Sequence, residues 1–317
     1  MKTVIPPIDS ELILSELTED KFLRHTNNGG NELYIVTHHD SPNIMLEIGR
    51  LREITFRIAG GGTGKELDID KFDTADIPYK QLIVWDPQKQ DILGGYRYIL
   101  GKDIKDAPNP EEHLATSKLF HFSDEFKNDY IPHMIELGRS FVQPAYQSSN
   151  RDKKSLFALD NLWDGLGALY VDNPEHMYFF GKVTMYLDYQ REARDLILAY
   201  MNKHFKDKKQ LLYPYHPLEI ETPQEKINEI LHSADPQEDM KLLSQAVRAR
   251  GEVIPPLINA YINLSPTLKC FGTVLNDHFG DVEETAILVT MNDMYEAKTE
   301  RHINSYKPNQ KREKVTE

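Results

Sequence analysis

The chain has 317 residues, with 37 Lys and Arg against 50 Asp and Glu for a formal net charge of −13, and it is 40% hydrophobic and 27% charged. This length buries a core without staples. The acidic balance excludes a general nucleic-acid binder, because phosphate calls for a basic surface, and the lone Cys270 excludes an internal disulfide or a cysteine-built zinc cluster. No apolar run approaches the roughly 18 to 20 residues of a membrane span, and residues 1–11 do not have the composition of a signal peptide. The expectation is a cytoplasmic globular protein.

In chain order, a helical segment near Ser10–Leu23 precedes a loop and a short strand, Glu32–Thr37. Asn43 is predicted to cap a helix over Ile44–Ile58, in which Ile44, Ile48, Leu51 and Ile58 share one face. Ala59-Gly-Gly-Gly-Thr-Gly-Lys65 then ends the helix. It approaches a phosphate-binding loop, but Ala59 replaces the first glycine, Glu66 stands where a hydroxyl is needed, and no strand precedes it. It reads as a flexible loop able to close over a substrate. Strands Gln81–Trp85 and Ile92–Leu100 flank a hairpin turn, and Gly94-Gly95 inside the second calls for a bulge or a close backbone approach.

Met134–Val142 is predicted as a strand, followed by a helix over Leu156–Tyr170, a strand Tyr178–Tyr186 and a helix opened by Asp188. Thr222-Pro-Gln-Glu225 has the form of a capping box, and Asp235-Pro-Gln-Glu238 opens a second helix that Gly251 closes. Residues 219–240 hold seven acids and one Lys, the pattern of a solvated face. A helix over Pro256–Ile262 precedes strands Lys269–Leu275 and Glu284–Met291, and from Arg301 the chain reads as a basic, frayed tail. This order argues for an α/β or α+β fold around one mixed sheet, with a helical insertion before the last strands.

Several charged positions stand in a telling order. They are Leu51-Arg52-Glu-Ile-Thr-Phe56, Asp70-Lys-Phe72-Asp73, Gly94-Gly95-Tyr96-Arg97, Glu136-Leu-Gly-Arg-Ser140 and Leu162-Trp163-Asp-Gly165. Together they resemble the GNAT-fold N-acyltransferases that use acyl carrier protein thioesters, and most closely the ornithine-lipid and glycine-lipid synthases. Pro255-Pro256-Leu257 and Phe279-Gly280 are similar to the C-terminal part of that branch. Proteins of this type also carry a hemolysin label, for which the chain offers no pore-forming or amphipathic membrane-inserting segment. The same order of Arg, Phe, Asp pair, Arg and Glu-x-x-Arg marks the acyl-homoserine-lactone synthases. Those commonly have a Trp where this chain has its glycine loop, which lowers the lactone reading.

The resemblance implies a core over 44–210, with 1–43 as an N-terminal extension packed on it. Residues 211–300 would complete the domain, and 301–317 would be a basic flexible tail. It implies no tightly bound cofactor and no metal, the donor being acyl-phosphopantetheine on carrier protein or acyl-CoA. Ordinary acetyl-CoA enzymes of this fold hold a pyrophosphate on a Gly-x-Gly loop, but this chain has Gln147-Ser-Ser-Asn-Arg151-Asp-Lys153-Lys154 there. That suits a carrier protein arm with its single phosphate, contacted by Arg151, Lys153 or Lys154.

The resemblance sets the thioester against the Glu136–Phe141 strand, with Ser140 and Phe141 in the substrate site beside Phe56. Glu136 is the candidate base, unless an ion pair with Arg139 or Arg97 makes it structural. An amino-acid acceptor would present a carboxylate to Arg52 or Arg97, with Asp70 and Asp73 addressing its ammonium or ordering the glycine loop. Tyr170, Tyr186 and Tyr189 are candidates to protonate the departing thiolate.

Carrier proteins are acidic, so docking needs local positive charge. Residues 182–209 supply seven basic against four acidic residues. The tail, with Lys307, Lys311, Arg312 and Lys314, offers weak peripheral contact with anionic lipid. The leading expectation is transfer of a (3-hydroxy)fatty acyl group to a small amino acid of the glycine or ornithine type for aminolipid synthesis. The alternatives are a lactone synthase or an acetyl-CoA transferase, and then a non-catalytic acyl-carrier-binding protein.

Overall fold

A computed structural model describes residues 1–147 and 153–308, the side chains of 153–156 excepted. The elements are α1 (Ser10–Glu16), β1 (Phe22–His25), β2 (Glu32–Val36), α2 (Pro42–Ile58), β3 (Lys80–Asp86), β4 (Asp91–Leu100), α3 (Gly101–Ile104), β5 (Phe120–Phe122) and β6 (Met134–Val142). They continue with α4 (Lys153–Asp172), β7 (Tyr178–Met185), α5 (Arg191–Phe205), β8 (Leu212–Pro214), α6 (Gln224–Ile230), α7 (Pro236–Ala249), α8 (Pro256–Ile262), β9 (Lys269–Asn276), β10 (Val282–Thr290) and α9 (Glu296–His302). Eight strands form one mixed sheet in the order β1-β2-β3-β4-β6-β7-β10-β9. All neighbours in it are antiparallel except β6 and β7, which run parallel.

Alternation along the strands divides the core between two faces. Leu82, Val84, Tyr96, Tyr98, Leu137, Phe179, Val183 and Ile287 pack beneath α4, α5 and the insertion helices. On the opposite face, Ile44, Ile48, Leu51 and Phe56 of α2 cover Tyr34, Ile83 and Trp85, and Phe72, Phe126 and Ile131 cover Phe180, Ala286 and Leu288.

The parallel pairing of β6 with β7 runs only from Met134 opposite Tyr178 to Leu137 opposite Gly181. Beyond that point the strands part. At the same place β6 bulges against β4, since Arg97 faces Gly138 but Gly95 faces Phe141. Arg139, within the bulge, takes a left-handed φ of 48°, a conformation an L side chain adopts only under constraint. The close approach expected at Gly94-Gly95 is present, because a Cβ on Gly94 would lie 2.3 Å from the Phe141 carbonyl oxygen.

Tertiary contacts displace several local signals. The helix expected over Ser10–Leu23 stops at Glu16, and Phe22–His25 forms edge strand β1. Asn43 does not cap α2. Instead the Glu16 carboxylate accepts from the Asn43 and Ile44 amides at 3.0 and 2.8 Å, so α1 supplies the cap. The Thr222 hydroxyl donates to Asp195 at 2.8 Å, and α6 starts two residues later without a side-chain cap. Asp235 does cap α7, accepting from the Gln237 amide at 2.9 Å. Asp239, expected on a solvated face, is fully buried and paired with Lys203 at 2.7 Å and His204 at 2.8 Å. Through residue 308 the tail is ordered: Tyr306 donates to Asp172 at 2.9 Å and lies beneath Arg24. Lys311, Arg312 and Lys314 lie outside the described residues.

Gly94→Ala would force β4 and β6 apart where the bulge is set. A loss of about 1–3 kcal/mol is expected, as for other overpacked sites, read as a lower urea midpoint with an unchanged slope.

Candidate active site

The gap between β6 and β7 opens a cavity of about 590 Å³. Its lining comes from both faces of the sheet: Tyr96, Leu159, Leu257 and Tyr261 from the side of α4 and α8, and Phe56, Glu136, Lys182 and Glu284 from the side of α2. The cavity therefore passes through the sheet where the ladder is broken. A second, polar cavity of about 450 Å³ lies on the α2 side and includes Lys65, Asp70, Phe72, Lys118 and His278. Arg97, Ala115, Arg139, Lys182 and Phe279 line both, so the two spaces meet at a cationic junction.

Beneath that junction lies a buried charge lattice. Arg97 is 2.9 Å from Asp70 and 3.2 Å from Asp73, Arg52 is 3.3 Å from Asp73, and Arg139 is 2.8 Å from Asp68. Burial alone would raise the Asp73 carboxyl, but Arg97 and then Arg52 hold it below the ordinary carboxylate range. Asp70 behaves the same way, with Arg97 and Arg139 outweighing burial. The Arg139 guanidinium also lies 3.8 Å from the Phe279 ring centroid, a cation–π contact that fixes the wall between the cavities.

Of the residues predicted for the substrate site, Phe56, Arg97, Glu136, Arg139, Ser140 and Phe141 line the apolar cavity, and Asp70 lines the polar one. Arg52 and Asp73 are completely buried and line neither, being engaged with each other and with Gln81. Arg151 lies outside the described residues. Lys153 and Lys154 open α4, but their side chains also lie outside the described part.

Glu136 is saturated. One carboxylate oxygen accepts from the Tyr79 hydroxyl and the Ala115 amide, the latter at 3.0 Å. The other accepts from the Thr116 amide at 3.0 Å and from the Thr116 hydroxyl. Burial, reinforced by the Glu136 charge, pushes the Tyr79 phenol far above its usual range and keeps it a donor.

The glycine loop holds an internal anion. The Glu53 carboxylate accepts from the Thr63 amide at 3.0 Å, the Thr63 hydroxyl at 2.7 Å and the Gly64 amide at 2.7 Å, and it pairs with Arg57 at 2.7 Å. The Thr63 and Gly64 amides are thus engaged within the chain, and the loop packs against Tyr186 and Phe279. It forms a wall, where the sequence suggested a flexible closing segment.

Residues 51–154 match the family described as "Acetyltransferase (GNAT) domain". Proteins named Glycine N(alpha)-acyltransferase from Phocaeicola vulgatus and Bacteroides thetaiotaomicron are each 53% identical to this chain over 306 residues. Those residues are 96% of the chain, and they make up 94% and 91% of the relatives' own lengths. The chain belongs to this family of N-acyltransferases. Its mixed sheet with flanking helices is the GNAT fold that the motif order implied. The solved structure of the AHL synthase LasI aligns over 87% of this chain and 96% of its own, at 11% identity and a TM-score of 0.38.

Among the tyrosines considered as proton donors, Tyr186 lines the apolar cavity. Its phenol is pushed up to about 12, by burial first and then by Glu284 and Asp188. Tyr170 instead donates to Asn292 at 2.6 Å and Tyr189 to the Val253 carbonyl at 2.9 Å. Of the basic residues in 182–209, Lys182, Arg191, Arg194, Lys203 and Lys209 each pair with a carboxylate of this chain. Less of that segment's positive charge is therefore available to a partner than its composition suggests. Among the described residues, no helix is long and apolar enough to cross a membrane.

Sequence reading missed Tyr79, Asp68, Thr116, Lys182 and Glu284. Lys182 carried a usable signal, since it is the one charge within its strand, whereas Glu284 stands beside Glu283 and Thr285 in β10.

Asp73→Ala leaves Arg52 and Arg97 buried without their shared partner. A loss of about 3–5 kcal/mol is expected, measured by urea unfolding. Because Asp70 and Asp73 are depressed in the folded state, their contribution is complete above the unfolded carboxylate value of about 4. It drains away as the pH falls below that point. Asp73→Ala should flatten the acid limb of stability against pH.

Proposed function

We propose that the chain transfers a (3-hydroxy)fatty acyl group from the phosphopantetheine thioester of acyl carrier protein to the amino group of glycine, in the synthesis of an aminolipid. The observation that carries this reading is the apolar cavity through the broken ladder, opening onto a cationic polar cavity. A thioester arm and an apolar chain suit the first. A small anionic amine suits the second, which adds Lys65 and Lys118 to the Arg97, Arg139 and Lys182 already paired with Asp70, Asp73, Asp68 and Glu284.

The two reactants would meet at the junction, held for attack by the walls rather than by diffusion. With the β6–β7 ladder ended at Leu137, main-chain groups of β6 on its β7 side are free to face the thioester carbonyl. Arg97 and Arg139 hold Asp70, and Asp70 addresses the ammonium group. Lys118, lowered by burial against the opposing pull of Asp70 and crowded by Lys71, Arg97 and Arg139, is the proposed acceptor clamp. Tyr186, neutral at working pH, donates a proton to the departing thiolate. Glu136 acts in this reading as a strut tying β6 to Tyr79 and Thr116. Arg52 and Asp73 act as the supports of Arg97. Arg151, Lys153 and Lys154 are the proposed contacts for the phosphate of the carrier arm, near the start of α4. The basic tail is the proposed weak contact with the membrane that receives the product.

Incubation with 3-hydroxyhexadecanoyl carrier protein and a pool of amino acids is expected to give N-acylglycine and one free thiol per product, read by mass. An N-acylated ornithine would change the acceptor. Turnover with acyl-CoA alone would change the donor. Folded protein that releases no thiol would overturn the reading. Lys118→Ala should raise the KM for glycine roughly 10-fold or more, the worth of one charge-assisted hydrogen bond, and leave the donor KM unchanged.

A further inference from the structure

Once the bound ammonium has given one proton to solvent, amide formation from the thioester moves one further proton from nitrogen to sulfur, so a group beside the carbonyl must accept it. Three carboxylates are found among the described residues lining the joined cavities: Asp70, Glu136 and Glu284. Glu136 accepts four hydrogen bonds and has no free lone pair to offer. Asp70 is clamped by Arg97 and Arg139 and held well below its ordinary range, which makes it a poor base. Glu284 differs from both. It is 4% exposed, and its Oε2 accepts from Asn276 at 2.9 Å and lies 3.5 Å from the Lys182 ammonium. Its Oε1 accepts no hydrogen bond from the described residues.

The register places Glu284 well. It stands opposite Thr184 on β7, and Lys182 lies two residues back on the same strand and face. Phe180, a further two back, is paired with Glu136 across the β6–β7 ladder. Glu136 and Glu284 thus flank the broken ladder on one face of the sheet. Tyr186 is near enough for its phenol to be raised by the Glu284 charge.

We infer that Glu284, held by Asn276 and charge-balanced by Lys182, is the catalytic proton acceptor for the attacking amine. This rests on the proposed transfer to glycine. As the C–N bond forms, Glu284 Oε1 takes the proton shed by nitrogen. As the C–S bond breaks, Tyr186 gives its proton to sulfur, and the phenolate regains one from Glu284. One proton has moved from nitrogen to sulfur, and both side chains return to their starting states. Lys182 and Asn276 are positioning residues in this scheme. Lys182 also keeps a buried carboxylate from standing without a counter-charge.

The test compares the wild-type chain with Glu284→Gln and Glu284→Ala, using 3-hydroxyhexadecanoyl carrier protein and glycine, with N-acylglycine and free thiol read separately. Glu284→Gln keeps an acceptor for Asn276 and should melt close to wild type. Its kcat should fall 10²- to 10⁴-fold, with donor and glycine KM changed less than threefold. Added formate should restore part of the kcat of Glu284→Ala, which a purely structural carboxylate would not allow. A Glu284→Gln variant that forms N-acylglycine within threefold of the wild-type kcat overturns the assignment and leaves the transfer itself standing. A folded wild-type protein that forms no N-acylglycine overturns the proposed function and the assignment with it.

Discussion

The β6–β7 ladder ends at Leu137 and Gly181, and the rest of the molecule is arranged around that break. A sheet that continued its hydrogen bonds here would seal its two faces from each other. Because it does not, a cavity crosses the sheet between the α4 side and the α2 side. The break is held by features on both sides of β6. Against β4 there is the bulge with Arg139 in a left-handed conformation, and Gly94 permits the Phe141 carbonyl to approach. Toward β7, Gly181 lets the last paired residues close tightly, since a Cβ there would lie 2.6 Å from the Leu137 carbonyl oxygen.

Burying so much charge beside such an opening needs internal compensation. Arg52, Arg97 and Arg139 are matched by Asp68, Asp70 and Asp73, and Glu136 by four donors from Tyr79, Ala115 and Thr116. Isolated charges in this setting would be costly, whereas paired ones form a rigid floor. The same logic governs the glycine loop, whose amides converge on Glu53 and so build a wall of the site from residues that resemble a phosphate cradle.

Much of the frame was legible in the residues. The period of α2, the strand Met134–Val142, the α7 cap at Asp235 and the close approach at Gly94 followed from local rules, because those segments obey the forces acting within a few residues. The errors have a common cause. Thr222 had a capping position and a better partner in Asp195, Asn43 had a capping position already served by Glu16, and Phe22–His25 had helical neighbours and a strand beside it. In each case a group distant in sequence competed for the same donor or the same backbone.

The sequence by itself determined the mixed α/β frame, the acidic character and the ordered set of motifs that marks an N-acyltransferase of this fold, since these depend on composition, period and order along the chain. Only the tertiary structure decided which of the marked charges face open space. Arg52 carried the same signal as Arg97 and Arg139, yet it is buried against Asp73 and Gln81 and lines neither cavity, while the other two line both; Glu136 lines the apolar one with its carboxylate already taken by four donors. Lys182 gave only the weak signal of a charge within an apolar strand and Glu284 gave none beyond its neighbour Glu283, and pairing of β10 with β7 brought them to the junction. Whether a charge is engaged within the fold or faces a cavity depends on partners far away in sequence, and no local pattern encodes them.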